Sequence, residues 1–359
     1  MDHRLPSPDS DMVVSCLGNE KTVLEPRPRP MVDSGEMLLR LRVVGFCGTD
    51  LFKLTTDSAS PGTVLGHEIV GEVIDLGDGV DKFDLGDRVC VPHHVPCGEC
   101  LYCRRGNETM CETFRENLME PGGFADSILI KSRATALAAH RIPDDISDAA
   151  AVFVEPAACV LRGVERSGID RDGTAVIQGG GSMGLLHLLV LKAALPGVSV
   201  AVIDPLEPRR ALAESLGASA TAAPGDAALD AVQGLTAGAG AGADAVFDTV
   251  GGSRLLEAGL QLSRQGGTIV LFAHAPDGDR AGFDLNDLFK FERRVLGTYS
   301  GALHEQAAVF ELIKSGALDP SPLVTHTMPL NDFQHGYSLA KNQEALKILF
   351  TPSVSTETT

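Results

Sequence analysis

Four cysteines fall within fifteen residues of this 359-residue chain, as Cys97-Gly98-Glu99-Cys100-Leu101-Tyr102-Cys103 followed by Cys111. The spacing C-x2-C-x2-C-x7-C suits a closed tetrahedral zinc site, which holds a loop too polar to build a core of its own. The other reading, two disulfides, belongs to an oxidising compartment and to chains small enough to need staples. This chain is instead long enough to divide into two domains. Hydrophobic residues make up 44% and charged residues 22%, a globular balance that excludes wholesale disorder. With no Trp and three Tyr, its cores are expected to be largely aliphatic.

Net charge is −18, from 48 acidic against 30 basic residues, which repels nucleic acid and anionic lipid and speaks against a zinc-finger role for the cysteine run. Residues 1–10 carry Pro and Asp but no apolar h-region, so no secretory signal is expected. The longest apolar stretch, 184–195, is interrupted by His187 and Lys192 and is too short to span a bilayer. A reducing cytoplasm, with no nucleic-acid or membrane partner, is the expected setting. Cys16, Cys90 and Cys159 read as ordinary small buried residues.

Residues 11 to about 155 read as strands and turns, with β-type runs at 38–44 and 69–74 punctuated by Gly77-Asp78-Gly79 and Leu85-Gly86-Asp87. Near residue 155 the texture changes. A helix is expected over 155–168, then strands at 174–177, 198–204, 243–248, 267–272 and 295–299 alternating with helical patterns. Such alternation predicts a parallel sheet covered by helices. The Ala/Gly run at 236–243 reads as a flexible connection. A last short strand at 348–350 precedes nine polar residues expected to be loose.

Gly179-Gly180-Gly181-Ser182-Met183-Gly184 follows an expected strand and opens an expected helix. In that context the G-x-G-x-x-G pattern lets the backbone turn sharply and approach a pyrophosphate on the helix N-terminus. Asp204 ends the next strand, where an acid can bind ribose hydroxyls and repel a 2′-phosphate. This favours NAD over NADP, although Arg209 and Arg210 keep the phosphate reading open. The plain alternative is a glycine turn beside an unrelated surface Asp.

Upstream, Gly45-Phe46-Cys47-Gly48-Thr49-Asp50 and Gly66-His67-Glu68 supply sulfur, nitrogen and oxygen donors suited to a catalytic zinc with an open position. A further carboxylate, Glu155, stands at the expected domain junction. Zinc with Cys47, Glu68 and Glu155 all bound would carry +2 − 3 = −1, so the carboxylates and water are expected to exchange. At the open position a substrate hydroxyl could lose its proton near neutral pH.

These four blocks, at 47–50, 66–68, 97–111 and 179–184, resemble in order the zinc-dependent medium-chain alcohol/polyol dehydrogenases, across nearly the whole chain. Glu68 and the Glu155-Pro156 pair look most like the sorbitol (L-iditol) dehydrogenase branch. The resemblance implies an α/β chain in which a doubly wound Rossmann sheet, residues 156–299, is inserted in a β-rich GroES-like catalytic domain. That domain would comprise 1–155 and 300–359, with a structural zinc lobe at about 93–115. It implies two zinc ions per subunit: one on Cys47, His67 and Glu68 with Glu155 at its water, one on Cys97, Cys100, Cys103 and Cys111. It further implies NAD held by Gly179, Gly181, Ser182, Met183, Gly184, Asp204 and Arg209, and a homodimer or homotetramer.

The expected reaction is oxidation of a secondary alcohol, a polyol or sugar derivative, to a ketone, with Thr49 hydrogen-bonding the hydroxyl and starting removal of its proton. Two departures stand out. Phe52 occupies the place where related enzymes often end a proton relay in His, and 297–301 lacks the Arg that binds polyol in sorbitol dehydrogenases. A threonine, glucose or simple secondary-alcohol dehydrogenase, or an NADP-linked carbonyl reductase, would use the same scaffold. A non-catalytic dinucleotide-binding sensor is the alternative of another class.

Overall fold

The computed structural model describes residues 10–236 and 242–354; the N-terminal segment expected to lack a signal and most of the Ala/Gly run lie outside them. The chain separates into two compact units. One takes the described residues to Glu155 together with Ala302–Lys314 and those from Asp319 on, and the other takes Pro156–Gly301 with Ser315–Leu318.

In the first unit β1 (Ser10–Gly18) and β2 (Lys21–Pro28) form an antiparallel hairpin turned by Asn19 and Glu20, both at positive φ. β3 (Met37–Gly45), β4 (Glu68–Leu76) and β5 (Arg88–Pro92) pair antiparallel in turn, and β6 (Met119–Glu120), β7 (Ser127–Ile130) and β8 (His140–Arg141) extend the sheet.

The second unit holds β9 (Thr174–Gln178), β10 (Ser199–Ile203), β11 (Ala220–Ala222), β12 (Ala243–Asp248), β13 (Ser263–Leu271) and β14 (Arg294–Gly297). All pair parallel in the order β11-β10-β9-β12-β13-β14. The order reverses between β9 and β12, which opens a crevice at their carboxyl ends. Every residue of β9 is buried, as expected of a strand covered by helices on both faces. β15 (Val324–Pro329) and β16 (Lys347–Thr351) then complete the first sheet, in the order β15-β16-β3-β4-β5-β8.

Register brings three distant pieces of chain to one level at an end of that sheet. Leu349 of β16 lies opposite Gly45 of β3, and Gly45 lies opposite Glu68 of β4.

The aliphatic expectation describes one cluster of the second unit, where Val176, Ile203, Val246 and Ile269 pack, although Phe247 of β12 is fully buried outside it. The first core differs, because Phe46, Phe124, Phe333 and Phe350 form a ring cluster with centroids 4.8–6.3 Å apart. Other expectations need correction. The strand placed at 267–272 begins at Ser263, and that at 295–299 stops at Gly297. Cys16 and Cys90 are buried, but Cys159 is only half-buried. The tail is not loose over its described part: the Ser353 amide and hydroxyl donate to Asp126 at 2.7 and 2.6 Å, and the Val354 amide donates to Asn331.

Candidate functional site

Gly48–Thr55 folds as a helix that the strand-and-turn reading missed, and Cys47 is its N-cap. The Thr49 amide donates to Cys47 Sγ at 3.5 Å, while the Cys47 amide donates to Asp50 Oδ2 at 3.0 Å. The cap thus points an N–H at the sulfur and fixes it at the helix start. Asp50 is fully buried. Its Oδ1 accepts from the Gly66 amide at 3.2 Å and lies 3.5 Å from His67 Nδ1, leaving the other ring nitrogen for a metal. Burial alone would lower the His67 pKa, but the charges of Asp50 and Cys47 raise it well above the usual imidazole range.

Cys47, His67 and Glu68 offer ligand atoms that lie within 4.8 Å of one another. Glu68 is 0% exposed, and its Oε1 is buried without a hydrogen-bond partner. A buried carboxylate oxygen left unsatisfied is costly unless a cation fills the gap, so this donor set fits a divalent metal. Glu155, half-buried in the first turn of the helix Val154–Ser167, lies outside that set of three.

Three features that sequence reasoning left without a role stand around the set. Asp50 had a signal, being the fourth residue of the Cys-Gly-Thr-Asp block and three places from the cap. Lys347 had a weaker one: it is a lone charge opening the apolar run Lys347-Ile348-Leu349-Phe350, and it is 3% exposed. Its ammonium is paired with Glu68 Oε2 and sits 3.3 Å from the Phe46 carbonyl.

The third is the His93-His94 pair. The His93 ring lies 4.6 Å from His67, and His94 lies 3.6 Å from His93 and 5.2 Å from Phe114. Burial first, then the neighbouring imidazoles, holds His93 well below the usual range and His94 at about 4, so both are neutral at neutral pH. On the helix Gly48–Thr55, Thr49 is half-buried and Phe52 is 41% exposed.

Cys97, Cys100, Cys103 and Cys111 converge as the spacing predicts. Sulfur separations are 3.5 Å for Cys100–Cys103 and Cys97–Cys111, and 3.9 Å for Cys97–Cys103. A tetrahedron of Zn–S bonds near 2.3 Å has edges of about 3.8 Å, whereas a disulfide requires about 2.05 Å. The lobe fits a metal, and among the described residues all eight cysteines are free. Burial opposes ionisation of Cys111, but the Thr113 hydroxyl and the Cys97 and Thr113 amides bring it down to about 6. Burial and the Cys100 thiol push Cys103 up to about 12. Ionising all four thiols at these distances needs a cation among them.

In the second unit the glycine loop and Asp204 meet directly. Gly179 has φ +103°, and a Cβ on Gly184 would come within 1.8 Å of the Gly179 carbonyl oxygen, so the turn excludes larger residues at both positions. Gly181 caps the helix Ser182–Ala194, which starts with Ser182 and Met183. Asp204 is 2% exposed, which rules out an unrelated surface acid. Its Oδ2 accepts from the Gly180 amide at 2.7 Å and its Oδ1 from the Leu206 amide at 2.8 Å. Arg210 is committed to the Asp204 and Pro205 carbonyls at 2.7 and 2.9 Å, while Arg209 lies 3.7 Å from Asp204 Oδ2. No helix of the described residues is long and apolar enough to cross a membrane.

Comparison with known proteins agrees with this geometry. Residues 33–144 match the alcohol dehydrogenase GroES-like domain, and residues 183–315 match the zinc-binding dehydrogenase domain. The erythritol/L-threitol dehydrogenase of Mycolicibacterium smegmatis is 32% identical, over 96% of this chain and 99% of its own. Among solved structures, alcohol dehydrogenase TADH from Thermus sp. ATN1 superposes with a TM-score of 0.84 at 27% identity, covering 95% of this chain and 99% of that one. Acetophenone reductase from Geotrichum candidum, in complex with NAD, gives 0.81 at 26% identity, covering 97% and 98%.

Proposed function

Because this chain belongs to the zinc-binding alcohol dehydrogenase family, we propose that it oxidises a secondary hydroxyl of a polyol or sugar derivative to a ketone, with NAD as hydride acceptor. The observation that carries this reading is the set of Cys47, His67 and Glu68, whose donor atoms, two of them on buried residues, lie within 4.8 Å of one another. Bound there, zinc would supply the positive charge that lets an alcohol lose its proton near neutral pH, and the dinucleotide would take the hydride. The chain's own residues do the positioning. Asp50 holds the His67 ring, the helix start holds Cys47, and Thr49 stands on the same first turn to accept a hydrogen bond from the substrate hydroxyl. Glu155 would contact the metal-side water.

Gly179, Gly181, Ser182, Met183 and Gly184 would cradle the pyrophosphate at the helix N-terminus, with Asp204 on the ribose and Arg209 at its edge. The buried Asp204 carboxylate supports NAD, since a 2′-phosphate would meet like charge there. Cys97, Cys100, Cys103 and Cys111 would hold a second, structural zinc. The activity for which the M. smegmatis relative is named supports a short polyol as substrate. Free thiols throughout support a reducing compartment, the cytoplasm. A homodimer or homotetramer is supported by β14, an edge strand that exposes Val295, and by exposed Leu285 and Phe289 in the helix before it.

The test is NADH formation by zinc-loaded protein across polyols, sugars and secondary alcohols, with NADP in parallel and Cys47→Ala as control. Turnover with NAD that falls about a thousandfold in the control is expected. Turnover that survives Cys47→Ala would refute the metal reading, and preference for NADP would refute the role given to Asp204.

A further inference from the structure

His93 and His94 stand beside the metal set, and the proposed reaction assigns them no part. Their place follows from strand pairing. Pro92 ends β5 opposite Glu68, which opens β4, so one step further along this antiparallel pair His93 falls beside His67. The two ring centroids are 4.6 Å apart. His93 is nevertheless outside the group of three whose donor atoms lie within 4.8 Å of one another. Its Nδ1 is buried and has no hydrogen-bond partner. A buried polar nitrogen is costly to leave unpaired, which directs attention to what the site binds.

A second series of contacts fixes where that imidazole stands. The His94 ring lies 3.6 Å from His93 and 5.2 Å from Phe114. Phe114 is 0% exposed, and its amide donates at 3.0 Å to the carbonyl of Cys111, the last thiol residue of the lobe. Arg133, on the helix Ser132–Leu137, holds the same segment. It donates to the Thr113 carbonyl at 2.9 Å and pairs with Glu116 at 2.6 Å. The four-thiol lobe thus reaches the metal set through three successive rings, Phe114, His94 and His93.

We propose that His93 determines specificity by hydrogen-bonding a second hydroxyl of the substrate, beside the one that reacts, and that Phe114 positions it through His94. This rests on reading Cys47, His67 and Glu68 as the place where a secondary hydroxyl is oxidised. There Thr49 and the metal engage the reacting oxygen, and a sugar alcohol carries another oxygen on the adjacent carbon. An imidazole nitrogen bonds a hydroxyl in either tautomer, as acceptor or as donor. A monohydric alcohol leaves Nδ1 unpaired, so the site selects against it. The substrate class narrows to vicinal diols and longer polyols, and the lobe helps to set that choice. A ring pair that merely packs would behave differently, since its loss would not favour one alcohol over another.

The experiment compares 2,3-butanediol with 2-butanol, which share a carbon skeleton and differ by one hydroxyl. Each is presented to zinc-loaded protein with NAD, as a substrate and as a competitor of erythritol. Wild type is expected to favour the diol by about 10–100-fold, the worth of one buried hydrogen bond. His93→Phe keeps a ring and removes its nitrogens, and should bring the ratio close to one through the KM of the diol. His93→Asn, which returns a polar atom near the place of Nδ1, should restore part of the preference. Titration with a chromophoric chelator should find wild-type zinc content in each variant. No turnover of any secondary alcohol by wild type would overturn the proposed function and this proposal with it. Turnover with a diol preference that is absent in wild type, or that survives His93→Phe, overturns the proposal and leaves the proposed function standing.

If His93→Phe does not fold, the smaller His93→Leu carries the same expectation, because His93 is only half-buried and tolerates a change of shape. Phe114 is tested by Phe114→Leu, which keeps an apolar side chain at a buried position. The diol-to-monohydric ratio should fall about threefold to tenfold, with zinc content unchanged. A ratio that stays at the wild-type value, or an equal loss with both alcohols, would show that Phe114 supports the fold alone and would overturn its part in the proposal.

Discussion

The four-thiol lobe and the Cys47–His67–Glu68 set both gather metal donors, but by opposite means. In the lobe every donor comes from one fifteen-residue loop, and the donors are all thiols. In the other set the donors are of three different kinds, they close on the end of a sheet, and a cation from position 347 neutralises one of them. A loop closed by like ligands depends on its metal for shape. A site fixed at a helix start and a sheet end exists before the metal arrives, and its charge balance can be tuned by distant residues. The difference suits a structural role for the first and a reactive role for the second.

Removing a ligand should separate the two most sharply. Cys100→Ser is expected to strip the lobe of its metal and cost several kcal/mol of stability, since structural zinc contributes directly to folding. Thermal unfolding and limited proteolysis within residues 93–115 would show it. A variant with an unshifted melting temperature would mean that the lobe holds itself without metal, and the contrast between the two sites would fail.

Asp50→Asn tests the Cys47–His67–Glu68 site. It keeps the size of the side chain but removes the charge beside His67, and it should weaken zinc binding or turnover about 10–100-fold with little loss of lobe metal. Equal loss of both metals would show that the two sites are not independent.

The mildest change expected is Gly45→Ala. Its methyl group would enter the space held by the Glu68 carboxylate and Lys347, costing about 1–3 kcal/mol by overpacking. Chemical denaturation would measure that cost, and the weaker zinc equivalent should shift while the lobe equivalent does not. A neutral Gly45→Ala would show that the pair has room to move.

Much of this was legible in residue order. The parallel sheet followed from strand–helix alternation after residue 155, and β9, β10 and β12 fall where the apolar runs stand. The lobe was legible because its spacing is itself the geometry. The helix Gly48–Thr55 was missed because its signal is a cysteine acting as N-cap, a position where Ser, Thr, Asp or Asn is the usual mark. Lys347 was overlooked because a lysine at the end of an apolar strand reads as solvated until its neighbours are known. The phenylalanine cluster at Phe46, Phe124, Phe333 and Phe350 was hidden for a similar reason, since its members are spread over the whole chain.

Sequence alone determined the local features: the four-thiol loop, the glycine turn before the helix Ser182–Ala194, the excess of negative charge, and the order of strands and helices in the second unit. Apart from net charge, each depends on residues close together in the chain, so spacing carries the physics. Tertiary structure decided which strands became neighbours, and with that the pairing of Lys347 with Glu68 across β16, β3 and β4. Strand partners are selected by burial summed over the whole sheet, a quantity that no stretch of the chain contains by itself.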